Sequence, residues 1–506
     1  MQTIAAIDVG SNAMRMIVGR VVYDGRVEVM DSLRLPVRLG QDAFTTGVAS
    51  EATAQQAVDA FVQFRRVAEG HNVEKMRAVA TSAMRELSNS ALLIDRIMRA
   101  TGIEIEVISG EEEARLIHLA VSQAADLKHR HALLVDIGGG SVEVTLSQNG
   151  NILSTESYNM GTVRLLKKLN GERNSALPFH KLVREYAEAA RRRIDREIGS
   201  KKIDICFGTG GNIEEMGKMR EKLFKRGNDR VITLGELDKL VETLSRMKVG
   251  ERMRRFNLKP DRADVILPAS IVLQIIAHEA KIKEVTIPSV GLKDGVLWDA
   301  ASRLQQGTRV SPREQVITSA IRLGKKYQFD QEHARLVSNL AGRLFDHSAG
   351  LHNLAREDKL LLETAAWLHD IGHFINTVDH HMHGYYILKA SPLVGLSEDR
   401  QNIVANIIQY HRKAAPSLQD ECFRNLPPTD RLVVTKLSSL MRLADSLDVS
   451  HTGRVKDVVL ERHKQAWCLN LIGEGDLMLE LWALEKRRSL FQDIFGIPLL
   501  VKKIKE

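Results

Sequence analysis

The chain has 506 residues, with 72 lysines and arginines against 64 aspartates and glutamates, for a formal net charge of +8. At roughly 150 residues per domain this length implies three or four domains, and 44% hydrophobic with 27% charged residues excludes disorder as the default. The basic excess points to an anionic partner, but only 5% of residues are aromatic and no basic segment is interleaved with rings, which argues against nucleic acid and for phosphate in another form.

In chain order, Thr3 to Gly10 reads as a buried strand ending in Asp8-Val9-Gly10-Ser11-Asn12, with a hairpin signal at Asp24-Gly25. Met76 to Ala80 is an apolar run leading through Thr81-Ser82 to Arg85, which is expected at a strand end facing a cleft. Ser109 to Ala125 is helical: Ser109 or Gly110 can cap, Glu111, Glu112 and Glu113 occupy the first turn, and apolar residues follow. Ala132 to Ser141 is a second buried strand, ending in Asp136-Ile137-Gly138-Gly139-Gly140-Ser141, with a hairpin signal at Asn149-Gly150. Basic clusters at Arg191 to Arg193, Lys201-Lys202 and Arg252 to Arg255 fit exposed helix faces. The apolar stretch from Val265 to Ala277 is broken by Pro268, Ser270 and Gln274, so no membrane span is expected. The N-terminus carries no signal-peptide pattern, and Cys206, Cys422 and Cys468 suit a reducing cytoplasm. A seam falls between Gln305 and Glu314, around Gly307 and Pro312. Helical periodicity then runs to about residue 450. After it come a strand-like Trp467 to Leu471, a turn at Gly473 to Asp476 and a strand-like Leu477 to Trp482.

The strand, loop, strand and hairpin thus occur twice. Glycine lets backbone N–H groups close on an anion, and two such loops facing each other make a phosphate clamp. Val142, Val144 and Leu146 alternate with Glu143 and Thr145, which puts Glu143 on a polar face where it can flank the second loop together with Asp136. Two carboxylates beside a phosphate loop suit Mg²⁺. The plainer reading is that Asp136 caps a turn and Glu143 is solvated.

Asp8 to Asn12, Asp136 to Glu143 and Gly208-Thr-Gly-Gly-Asn212 resemble the glycine loops of the actin, sugar-kinase and heat-shock-chaperone superfamily. Within it, Ala80 to Arg85, Ser109 to Arg115 and Val290 to Val296 are similar to segments of the exopolyphosphatase and guanosine pentaphosphate phosphohydrolase family. The chain departs from that pattern at Ala13, Lys293 and Gly211-Asn212. The resemblance implies an α/β fold of two actin-like domains (1–127 and 128–305), then an all-α HD-type domain (306–450) and a small α+β domain (451–506). It implies a hydrolase in which Glu113 activates water, and Ser11, Asn12, Arg85, Gly138, Gly139, Gly140, Ser141 and Gly210 bind phosphate. It implies that Asp136, Glu143 and Asp8 hold Mg²⁺. Glu111 and Glu112 are expected to be solvated, and Arg15 is open between the cleft and an ordinary ion pair.

Nine of the 17 histidines lie between His333 and His411. His369-Asp370-Ile-Gly-His373, in a helical stretch from Leu360 to Phe374, together with His333, His411 and Asp445, is similar to the HD phosphohydrolase pattern, which implies a second divalent transition metal. His383 is a further candidate for that site, while His347, His352 and His380 fit ordinary helix-face roles. The expected substrate is inorganic polyphosphate, with guanosine pentaphosphate as the second choice. An actin-like ATPase or sugar kinase, a second phosphohydrolase activity in the HD-type domain, and a phosphate-sensing module without turnover are competing functions. Family likeness implies a homodimer.

Overall fold

The computed structural model describes residues 2–22, 26–170, 179–198, 202–225, 227, 230–305, 312–463 and 466–504. Asp24-Gly25, Lys201 and Gly307 lie outside them, as do the side chains of Arg191, Arg192 and Arg193. The chain divides into two compact units, Met1–Arg309 and Val310–Glu506.

The N-terminal unit contains two sheets. The first is built from β1 (Gln2–Val9), β2 (Met14–Val21), β3 (Val27–Leu35), β4 (Lys75–Ala80) and β5 (Ile105–Val107), in the order β3-β2-β1-β4-β5. The second is built from β6 (His131–Ile137), β7 (Val142–Gln148), β8 (Asn151–Tyr158), β9 (Ile205–Thr209), β10 (Val231–Thr233) and β11 (Glu284–Thr286), in the order β10-β11-β9-β6-β7-β8. Each opens with an antiparallel three-strand meander whose first strand then pairs in parallel with a later strand, β1 with β4 and β6 with β9. The repeat read in the sequence is therefore a repeat of structure. β1 and β6 are central strands covered on both faces, which is why their sequences are continuous apolar runs. At the β7–β8 hairpin Gln148 pairs with Asn151, and Asn149 and Gly150 both take positive φ (52° and 80°), as a tight two-residue turn requires.

The apolar stretch near residue 270 forms the helix Ile266–Glu279, in which every residue from Ile266 to Ala277 is buried. It is a core helix, and among the described residues no helix is long and apolar enough to cross a membrane. Arg252 departs from its exposed-face expectation: it is buried, and its guanidinium donates to the carbonyls of Ala263 (3.2 Å) and Leu244 (3.0 Å).

The C-terminal unit is mainly helical, with a small sheet of β12 (Val455–His463), β13 (Ala466–Gly473) and β14 (Leu499–Ile504) in that order. Leu362, Ile408 and Leu440 from the helices share one core with Val458, Leu469 and Leu499 from the strands. The strand expected over Leu477 to Trp482 is instead the start of the helix Met478–Arg487. Leu, Met, Glu and Ala are strong helix formers. The buried set Glu480, Ala483 and Leu484 has helical spacing, which prevails over a short apparent alternation.

One close contact sets the position of the helix Gly110–Ala124. It packs on the helix Leu292–Gln305 at Gly295, where an added Cβ would come within 1.9 Å of the Leu116 carbonyl. Gly295→Ala is expected to destabilise the protein by about 1–3 kcal/mol, because backbone leaves no rotamer to yield. The shift in denaturant midpoint against wild type measures it, and an unchanged midpoint would mean the two helices can separate freely.

Candidate active site

Two turns of the same design meet in the N-terminal unit. β1 and β2 pair so that Asp8 stands opposite Arg15, and β6 and β7 so that Asp136 stands opposite Glu143. In one turn the Gly10 N–H donates to the Ala13 carbonyl (3.2 Å); in the other the Gly138 N–H donates to the Ser141 carbonyl (3.1 Å). The two copies differ by a swap of charge. Arg15 Nη1 lies 2.9 Å from Asp8 Oδ2, which decides its open role in favour of an ion pair at the site, whereas the equivalent pair in the second copy is two acids. An added Cβ on Gly139 would stand 2.9 Å from that of Ser11, so glycine lets the turns touch. The third loop needs glycine as well: Gly210 has φ +93°, and a Cβ there would meet the Ile137 carbonyl at 2.9 Å. The neighbouring Thr209 hydroxyl donates to Asp136 Oδ1 (2.5 Å).

Glu113 comes from the first turn of the helix Gly110–Ala124, capped by Ser109, whose hydroxyl accepts from the Glu112 N–H (3.2 Å). Glu113, Asp136 and Glu143 each bring a carboxylate oxygen within 4.8 Å of the others'. They are only 5%, 8% and 2% exposed. Ser157 donates to Glu143 Oε1 (2.9 Å), but Glu143 Oε2 and Glu113 Oε2 are buried without a hydrogen-bond partner among the described residues. Burial and then the charge of Glu143 hold the Glu113 carboxyl well above its ordinary range. Burial lifts Asp136 to about 6 against the Thr209 hydrogen bond, and burial with the nearby Asp136 lifts Glu143 to about 7. Burial also raises Asp8, against the pull of Arg15. This is an electrostatic deficit that a divalent cation would relieve.

Asp8, Glu113 and Asp136 border a cavity of about 310 Å³, whose wall also carries Arg15, Arg34, Lys259, Arg262 and Lys293. Burial, then the charges of Arg15 and Arg34, pushes Arg262 down to about 10. Cations crowded this way draw an anion. Arg34 pairs with Asp261, and Arg262 donates to Asn212 Oδ1 (3.0 Å). Arg34, Lys259 and Arg262 escape sequence reading because no local motif marks them; strand β3 and the Pro260 helix start carry them to the cleft.

Of the residues singled out in the sequence, Asp8, Ser11, Asn12, Glu113, Asp136, Gly138, Gly139, Ser141 and Gly210 line the cavity; Gly140, Arg85 and Glu143 do not. Gly140 is packed so closely that a Cβ would strike Ser82 Oγ at 2.2 Å. Arg85 lies beyond the strand end, on the one-turn helix Ser82–Glu86, donating to the Ile108 carbonyl and standing 3.6 Å from Glu113 Oε2. Glu143 is not on a solvated face, since β7 is buried along both faces and its alternation of residue types is no alternation of exposure. Glu112 is likewise not left to solvent: Arg115 holds it through two hydrogen bonds of 2.7 Å, with Arg77 at 3.5 Å.

In the C-terminal unit, His333, His369 and Asp445 each bring a potential ligand atom within 4.8 Å of the others', as do Asp370, His373 and His380. His411 Nε2 is 3.9 Å from Asp370 Oδ1. Two expectations change. The helix ends at Leu368, so His369 and Asp370 sit at its C-terminus instead of inside it. His380 is no ordinary helix-face histidine, being buried 3.4 Å from Asp370 Oδ1. His352 does keep to packing, its Nε2 2.9 Å from the Phe345 carbonyl, and among the described residues His383 belongs to none of these groups.

All three acids of the N-terminal cluster hold protons more tightly folded than unfolded, so folding without a metal takes up protons. The contribution of Asp136 and Glu143 to stability is fully present below the ordinary carboxyl range and is lost as pH rises through about 6 to about 7. The thermal midpoint of metal-free protein is expected to fall between about pH 5 and about pH 8, and to fall less in Glu143→Gln, which cannot ionise. Parallel slopes for the two proteins would remove Glu143 from this account.

Residues 18–304 match the Ppx/GppA phosphatase family, and residues 316–485 match Ppx/GppA phosphatase, domain III. A guanosine-5'-triphosphate,3'-diphosphate pyrophosphatase from Vibrio parahaemolyticus is 27% identical over 419 residues, 82% of each chain. Its counterpart from Vibrio cholerae is 28% identical over 426 residues, again 82% of each. The crystal structure of an exopolyphosphatase from Cytophaga hutchinsonii has a TM-score of 0.55 at 26% identity, covering 61% of this chain and 100% of that one. A family member from Aquifex aeolicus has a TM-score of 0.52 at 23% identity over 60% of this chain and 99% of its own, a likeness of fold alone. With more than half of its length matched, and with paired glycine turns, cations and buried acids around one cleft, the chain belongs to the Ppx/GppA phosphatase family and is a hydrolase of phosphoanhydride bonds.

Proposed function

We propose that this phosphatase releases terminal phosphate from inorganic polyphosphate. The observation that carries the reading is the wall of the cleft, made of turn backbone, short hydroxyl and amide side chains, five cations and six carboxylates, with no aromatic ring among its described residues. A linear phosphate chain needs charge and N–H donors along its length and no surface for a base to stack on.

In this reading the turns around Ser11, Asn12, Gly138, Gly139, Gly140, Ser141 and Gly210 cradle phosphate oxygens. Glu113 takes a proton from water as the water oxygen adds in line to the terminal phosphorus and the bridging P–O bond breaks. A carboxyl held above its ordinary range by burial is a stronger base than a solvated one. Arg85, next to Glu113 and off the cavity wall, acts as a positioning residue. Asp136 and Glu143, with Asp8 alongside, would hold Mg²⁺, and the unpartnered Glu143 Oε2 supports that fit. The ion, when bound, offsets phosphate charge. Segments 1–127 and 128–305 supply the two sides of this cleft in this reading, with 306–450 taken as the helical domain and 451–506 as the small α+β domain.

Removal of a phosphate from guanosine pentaphosphate is a second reading, favoured by the names of the Vibrio relatives. Phosphate release from long-chain polyphosphate and from guanosine pentaphosphate, assayed side by side, is expected to be faster for polyphosphate. In Glu113→Gln, kcat is expected to fall about 10²- to 10⁴-fold with KM little changed. Faster turnover of the nucleotide would replace the first reading with the second, and wild-type kcat in Glu113→Gln would remove that residue from the chemistry. Asp136→Asn is expected to raise the Mg²⁺ concentration for half activity, because it removes a charged oxygen ligand. An unchanged titration would return Asp136 to a structural role.

A further inference from the structure

Three carbonyls of the second glycine turn are engaged by the residues that open the helix Thr162–Asn170. The Thr162 N–H donates to the Gly138 carbonyl (3.1 Å), the N–H groups of Val163 (2.8 Å) and Arg164 (3.1 Å) donate to the Gly139 carbonyl, and the Gly161 N–H donates to the Gly140 carbonyl (3.2 Å). A trans peptide sets the C=O of one residue antiparallel to the N–H of the next. Fixing these carbonyls therefore turns the N–H groups of Gly139, Gly140 and Ser141 away from the helix start, and among the described residues no acceptor takes any of the three. Gly139 and Ser141 line the cavity. An anion seated in the turn would take its hydrogen bonds from these N–H groups.

One of these carbonyls is held by a side chain as well. Arg164 Nε donates to the Gly140 carbonyl (2.6 Å), while both terminal nitrogens pair with the Glu86 carboxylate, Nη1 at 2.8 Å from Oε2. The same guanidinium lies over the Phe44 ring, 4.2 Å from its centroid. Glu86 ends the helix Ser82–Glu86 and Phe44 follows the helix Leu39–Ala43, both in the stretch that carries the first sheet, whereas Gly140 lies between β6 and β7 of the second. The Arg164 side chain is 14% exposed and that of Glu86 38%, so the pair is partly shielded from the solvent that weakens surface ion pairs. A planar fork with donors along its edge and a face for a ring can join three such groups at once. Packing encloses the same turn: a Cβ on Gly140 would stand 2.5 Å from Phe44 Cζ, and one on Gly161 2.3 Å from the Gly140 carbonyl carbon.

We propose that Arg164 is a positioning residue for phosphate binding: it holds the turn from Gly138 to Ser141 with its N–H groups free for an anion, and ties that turn to the side of the first sheet through Glu86 and Phe44. The inference rests on the reading that this turn receives phosphate oxygens. Arg164 does not line the cavity, so it acts through the turn and not by touching substrate. The competing role is a packing residue that adds to stability and leaves the geometry of the turn alone.

Phosphate release from polyphosphate is measured on the full-length protein, with inorganic phosphate as an inhibitor and the thermal midpoint recorded for every variant. Arg164→Ala is expected to raise KM and the inhibition constant of inorganic phosphate together, by about 10-fold, with kcat reduced less. Glu86→Gln, a milder change at a half-exposed position, is expected to raise both by about threefold and to add little in the double variant with Arg164→Ala, because the two act through one contact. A lowered thermal midpoint in Arg164→Ala with KM and the inhibition constant at wild-type values would make Arg164 a packing residue and overturn the proposal. Additive effects in the double variant would overturn it as well, since the tie through Glu86 would then be absent. Gly139→Ala, which crowds the turn directly, separates this failure from that of the underlying reading. A shift in Gly139→Ala without one in Arg164→Ala would leave a phosphate turn that does not depend on Arg164, whereas no shift in either would remove the phosphate turn and the inference with it.

Discussion

Three carboxylates, Glu113, Asp136 and Glu143, are buried together, with two of their oxygens unpartnered among the described residues and Arg85 standing 3.6 Å from Glu113. Such a group is costly to assemble, and the surrounding structure is what keeps it in place. Strand pairing fixes Asp136 opposite Glu143, the capped helix Gly110–Ala124 delivers Glu113, and Thr209 and Ser157 each hold one oxygen. The glycines at 110, 139, 210 and 295 mark places where this assembly leaves no room for a side chain. The strain is useful, since a site that is unstable empty binds a cation or a proton strongly, and a family of phosphoanhydride hydrolases needs both a charge sink and a base.

The duplication explains how this came about within one plan. Both copies place an aspartate at the end of the central strand and a glycine turn after it, and both pair that aspartate with the residue seven positions on. In the first copy that residue is Arg15, which forms an ion pair with Asp8; in the second it is Glu143, which sets a second acid beside Asp136. One difference between equivalent positions separates an ion pair from a pair of buried carboxylates. The cations of the cleft wall then arrive from regions outside the repeat, with Arg34 on β3 and Arg262 near the end of a short helix.

The C-terminal unit solves a similar problem with different chemistry. Its histidines are oriented by backbone carbonyls and by Asp448, which hold the rings so that their free nitrogens converge. His451 stacks on His333 at 3.7 Å between ring centroids, adding a packing restraint to the hydrogen-bonded one. Orientation by second partners of this kind is what a ligand set requires, since imidazole binds only along its ring plane.

The sequence by itself determined the α/β character of the first 305 residues, the repeated turn, the capped helix carrying Glu113 and the clustering of histidines. Each of these is written in local patterns: apolar runs, glycine after aspartate, a serine before three glutamates, and residue counts. It misled where one pattern admits two meanings. Alternation on β7 meant two buried faces, the apparent strand near Leu477 was a helix, and the HD pair lay past its helix end. Only the tertiary structure decided that Arg15 pairs with Asp8, that Arg85 lies behind Glu113, that Arg34 and Arg262 reach the cleft, and that His380 belongs with Asp370. The reason is physical: these pairings join residues far apart in the chain or depend on which way a side chain leaves its strand or helix. Such distances are set by how sheets and helices pack, and local composition does not carry them.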